Sequence, residues 1–98
     1  MLDLALIQSV ALQMMERDEV MLGDKTVKVE RTSYQRLKTV TFKIGCREYQ
    51  AIEQNADKPS QWGSLAREGH KVVQVRERVT GKYVAVVVDG TVREYERR

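Results

Sequence analysis

The chain has 98 residues, 17 of them Lys or Arg and 14 Asp or Glu, for a formal net charge of +3 at pH 7. Apolar residues make up 42%, enough for the core of one small domain and too many for a disordered chain. One proline and six glycines exclude collagen-like and low-complexity compositions, and one cysteine beside one histidine excludes a zinc finger and an internal disulfide.

So small a domain without bridges points to a reducing, cytoplasmic setting. The N-terminal run from Leu2 to Leu12 is apolar, but Asp3 stands where a secretory leader carries positive charge, and Gln8 and Ser9 interrupt the run. It is also shorter than the roughly 18 apolar residues of a membrane-spanning helix, so no membrane partner is expected. Leu4, Ile7, Ala11, Met14 and Met15 recur at steps of three and four, and Leu6 and Val10 widen their face. With Asp3 as N-terminal cap and Gly23 as stop, the spacing predicts a helix over 3–22 that frays after Arg17, where Asp18 would fall on the apolar face. Leu6, Val10, Met14 and Met21 make the apolar arc wide enough to engage a protein partner or a second copy, and they are the candidate interaction residues of this helix.

After Gly23 the period changes to two. Strands are predicted over 25–31, 37–44 and 47–53, with Val40, Phe42 and Ile44 on one face of the second and Thr39, Thr41 and Lys43 on the other. Gly45-Cys46 reads as a hairpin turn. Ser60 caps a short helix over 60–68 that buries Trp62, Leu65 and Ala66, and Gly63 lightens it where another backbone approaches. Strands over 71–79, 83–88 and 91–96 follow. Asp89-Gly90 marks a tight turn with positive φ at both positions, and the loop at Val79-Thr80-Gly81 holds two residues or, as the better reading, three with Gly81 in a bulge. Tyr83–Val88 is apolar on both faces and is expected at the centre of the sheet. The expected class is α+β: a helix, three strands, a short helix and three strands forming a mainly antiparallel curved sheet or partial barrel. The expected core contains Leu4, Ile7, Ala11, Val27, Val29, Val40, Phe42, Ile44, Trp62, Leu65, Val73, Val75, Val84, Val86 and Val88.

Motifs for chemistry are sparse. His70 follows Gly69 at a helix end and reads as a partner for the last helical carbonyls. A thiol enzyme would need it beside Cys46. Glu16, Asp18, Glu19 and Asp24 lack the spacing of a calcium loop, and Gly23-Asp-Lys-Thr and Gly81-Lys82 both fail the phosphate-loop spacing. No catalytic residue, metal ligand or cofactor is assigned. Charge along the chain is more informative. Residues 1–24 hold Arg17 against Asp3, Glu16, Asp18, Glu19 and Asp24, a net −4. Residues 25–47 hold seven cations against Glu30, a net +6, and the remainder is +1. Lys28, Arg31, Arg36, Lys38, Lys43 and Arg47, with Tyr34 to stack on a base, are the candidate nucleic-acid contacts. The acidic helix end lying on this basic segment would give the same charge pattern without a ligand. The expectation is a non-catalytic binding or accessory module that leans toward nucleic acid or another polyanion through residues 25–47. The alternative is a protein-interaction module or homodimer built on the N-terminal helix.

Overall fold

Asp3 begins the first helix by accepting a hydrogen bond from the Leu6 N–H at 3.0 Å, which satisfies one of the donors a helix start leaves open. The computed structural model describes residues 2–96, so the end of the charged C-terminal tail lies outside the described residues. The elements are α1 (Leu4–Glu16), β1 (Glu19–Leu22), β2 (Lys25–Lys28), β3 (Glu30–Arg31), β4 (Lys38–Ile44), β5 (Arg47–Glu53), α2 (Gln61–Arg67), β6 (Val72–Glu77), β7 (Tyr83–Val88) and β8 (Thr91–Tyr95). β3 to β8 form an open six-stranded antiparallel sheet in chain order, and β1 and β2 form a separate hairpin. The class is α+β, as expected.

The N-terminal third departs from expectation. The helix expected to reach Leu22 ends at Glu16, Arg17 is extended, and Glu19–Leu22 is a strand with Val20 fully buried. Continuing the helix would carry the Asp18 carboxylate onto the apolar face, whereas the strand turns Val20 and Leu22 inward and leaves Asp18 exposed. Gly23 therefore does not stop a helix. With φ +63 it occupies the two-residue turn between β1 and β2. The strand expected over 25–31 is also divided. Val29 donates its N–H to the Asp18 carbonyl at 2.8 Å, which draws β2 to β1, and pairing with β4 begins only at Glu30 opposite Thr39.

The remaining elements follow the sequence closely. β5 and β7 have the expected bounds, and Asp89 (φ +51) and Gly90 (φ +84) form the predicted turn. β6 stops at Glu77, whose N–H donates to the Lys82 carbonyl at 2.9 Å. The loop to β7 is therefore longer than either expected form, with Val79 exposed and Gly81 at φ +74.

α1 and the β1–β2 hairpin cover one face of the sheet. Ile7, Val10, Ala11 and Met14 join Val20, Val40, Phe42, Ala51, Val75 and Val87 in the main core. On the other face, Trp62, Leu65 and Ala66 of α2 pack over Val72, Val86 and Val88. β7 is buried from Val84 to Val88 because it runs between these two layers. Gly63 is required where it stands, because a Cβ there would collide with the Lys58 carbonyl. Leu4, Val27, Val29, Ile44, Trp62 and Leu65, expected in the core, are only partly buried at its margins.

Candidate binding cleft

The division of the 25–31 segment leaves two strand edges without strand partners among the described residues. Thr32 N–H donates to the Leu37 carbonyl at 2.9 Å and Glu30 stands opposite Thr39, so odd-numbered residues of β4 turn their backbone groups toward β3. Even-numbered ones turn toward β5, as the two-residue turn joining Ile44 to Arg47 requires. In that register Lys28 and Thr26 would complete the ladder opposite Thr41 and Lys43. Instead Lys28 pairs with Glu19 and Thr26 with Met21, and β1–β2 is a sheet of its own. The Val29 bond to Asp18 sets the phase of that hairpin, so the backbone groups of Thr26 and Lys28 also turn away from β1.

Between these edges lies a cleft of about 460 Å³, lined by Leu6 of α1, Leu22, Lys25, Val27, Thr41, Phe42, Lys43 and Glu48. A smaller hollow of about 100 Å³ shares Val27 and Thr41 and adds Lys28, Glu30, Thr39 and Gln50. Thr39 is 8% exposed, and its hydroxyl has no hydrogen-bond partner among the described residues. Glu48 is held by Arg78, 2.7 Å from carboxylate to guanidinium. Lys25, Lys28 and Lys43 are exposed and make no ion pair among the described residues. The cleft is therefore apolar at its base, and its rim carries Lys25 and Lys43 beside Glu48, whose charge Arg78 engages.

The seven candidate nucleic-acid contacts do not share one surface. Lys43 lines the cleft and Lys28 the smaller hollow beside it. Tyr34 is 87% exposed in the β3–β4 turn, and the exposed Arg36 accepts a bond on its carbonyl from the Arg31 guanidinium at 2.9 Å. Lys38 turns toward α1, where its ammonium donates to the Met15 carbonyl at 3.1 Å. Arg47 stands opposite Ile44 and pairs with Glu77 at 3.3 Å. Of the candidate interaction residues, Val10 and Met14 are fully buried in the protein's own core, Leu6 is partly buried at the cleft, and Met21 is exposed on β1 rather than on the helix. Leu22, Lys25, Val27 and Phe42 escaped the sequence reading as site residues. The available signal was Gly23-Asp24 between two short alternating segments, which marks a hairpin and hence a diverted strand.

His70 and Cys46 are not brought together. Cys46 precedes β5, whereas His70 precedes β6 at the end where Val73 pairs with Glu53, about 20 Å away along β5. The His70 ring pairs with Asp89, with Nδ1 2.7 Å from Oδ2, and the backbone N–H of His70 donates to the Leu65 carbonyl in the last turn of α2. The Asp89 carboxyl is held below its usual range by the Lys71 N–H and then by His70. Among the described residues no group of three His, Cys, Asp or Glu side chains is placed to hold a metal ion, and no helix is long and apolar enough to cross a membrane. No family model, curated protein or solved structure matches this chain.

Proposed function

We propose that the protein is a non-catalytic binding module that takes a polypeptide segment in the cleft between β2 and β4. The observation that carries this reading is the cleft itself: Leu6, Leu22, Val27 and Phe42 offer an apolar base beneath lysines that make no ion pair among the described residues. Selection of random displayed peptides on the wild-type protein, followed by titration of each against wild type and Val27→Lys, tests it. Val27 packs only at the margin of the main core and is partly buried, so the lysine blocks the cleft and leaves the fully buried core residues in place. Peptides that lose affinity for the variant support the reading, and peptides that bind both proteins equally refute it.

A second reading, nucleic-acid binding through residues 25–47, draws support from Tyr34, exposed between Arg31 and Arg36 and near in sequence to Lys28. The inward turn of Lys38, the Arg47–Glu77 pair and the placement of Glu19 across from Lys28 all weaken it. Fluorescence titration with mixed DNA and RNA at low salt decides the matter. Absence of binding at micromolar protein, or affinity that does not fall as salt rises, removes this reading.

A further inference from the structure

α1 caps two strand edges with glutamine side chains. The Gln13 carbonyl accepts from the Met21 N–H at 2.8 Å, and its amide donates to the Met21 carbonyl at 3.2 Å, on the side of β1 away from β2. The Gln8 carbonyl accepts from the Val92 N–H of β8 at 2.8 Å. The β4 edge at Thr41 and Lys43 has no such cap among the described residues, and it opens on the apolar cleft. An edge without hydrogen-bond partners beside an apolar groove is a template for one more strand, and because β2 packs close to β4 the added strand would displace the β1–β2 hairpin from this edge.

The pleat specifies the side chains of that strand. Phe42 faces the core side with Val40, whereas Thr41 and Lys43 face the other side. A residue opposite Phe42 would therefore enter the cleft with Val27 and Leu22 and should be apolar. Residues opposite Thr41 and Lys43 would come beside Lys43, whose cross-strand neighbour Glu48 is already engaged by Arg78, and should be acidic. The buried Thr39 hydroxyl, unpartnered among the described residues, borders the smaller hollow beside the cleft. Resting on the cleft as the binding site, we propose that its occupant is an extended acidic segment of a partner protein, which adds to β4 as a strand through the backbone of Thr41 and Lys43.

The test uses the isotopically labelled full chain in NMR titrations. The probes are a capped peptide alternating Val and Glu, two versions N-methylated at every second amide in opposite phase, and a Val-Lys peptide of equal length. The expected result is shifted, exchange-protected amides at Thr41 and Lys43. One methylated peptide should lose about tenfold in affinity while the other binds like the parent, and the Val-Lys peptide should not bind. Thr41→Pro removes an N–H that points away from β5, so it should keep the spectrum of the fold and lose the peptide. Equal binding of both methylated peptides, with shifts confined to the Leu22, Val27 and Phe42 side chains, overturns strand addition and leaves the cleft as a binding site. Shifts only elsewhere on the molecule overturn both readings. Equal binding of the Val-Lys peptide overturns the acidic specificity. Self-association that the Val-Glu peptide displaces from Thr41 and Lys43 assigns the edge to a second copy and overturns the acidic partner.

Discussion

Asp89 joins two connections of the fold at one carboxylate: Oδ2 lies 2.7 Å from His70 Nδ1, and Oδ1 accepts the Lys71 N–H at 2.9 Å. The hydrogen bond from Lys71 is the larger cause of its lowered pKa, followed by His70. A carboxyl whose pKa is lower folded than unfolded stabilises the fold above the unfolded value, about 3.9 for Asp, and that contribution fades as pH falls through the lowered folded value. Urea denaturation of wild type and Asp89→Asn from neutral to acidic pH should show a gap at neutrality that narrows in acid. A gap constant across the range would mean that the charge of Asp89 contributes nothing.

Gly63 lies where α2 crosses the 55–58 loop, and its missing Cβ leaves room for the Lys58 carbonyl. In an open helix, alanine would be the better residue. Here Gly63→Ala should cost about 1–3 kcal/mol, because backbone on both sides must shift. Chemical denaturation measures this, and a neutral or stabilising substitution would show that the loop yields freely.

Met14 and Met21 carry opposite expectations, although both have the composition of an interaction surface. Met14 is fully buried against the sheet and Met21 is 58% exposed on β1. Met14→Ala should cost about 2–5 kcal/mol. Met21→Ala should change stability by no more than about 0.5 kcal/mol. Sedimentation of both variants separates folding from association. A Met14 variant that stays folded but changes its oligomeric state would restore the helix as an interface.

What could be read from the sequence was the structure set by local patterns. The alternation of Val40, Phe42 and Ile44 against Thr39, Thr41 and Lys43 gave the faces of β4 correctly, and Asp89-Gly90 fixed the β7–β8 turn. Gly63 was also legible, since a glycine inside a helical pattern signals close approach. Asp18 marked where the helix weakens, but the strand after it was not legible, because Val20, Met21 and Leu22 extend an apolar run at nearly helical spacing and tertiary burial of Val20 between α1 and the sheet selects the strand. The cleft was invisible for a related reason. It exists because Lys28 pairs with Glu19 rather than with Thr41, a choice between two long-range partners that no local pattern records. The same pairing places part of the −4 segment beside the +6 segment, which dilutes the polyanion signal that the linear charge profile suggested.

Gln13 holds the diverted hairpin to the helix. Its side chain bonds both backbone groups of Met21 and also donates to the Ser9 hydroxyl at 2.9 Å. Gln13→Leu keeps the helix propensity and approximate volume but leaves the Met21 N–H and carbonyl without their partner. Because both groups then depend on water, the loss should be about 1–3 kcal/mol. The effect should also be local. Hydrogen exchange at the Met21 amide should accelerate much more than at Val75 or Val87, which lie in the buried sheet. If exchange rises equally at all three, the hairpin and sheet unfold as one unit and Gln13 is a global rather than a local tether. Exchange at Met21 that does not change would mean that the cap contributes nothing, and that burial of Val20 alone holds β1 in place.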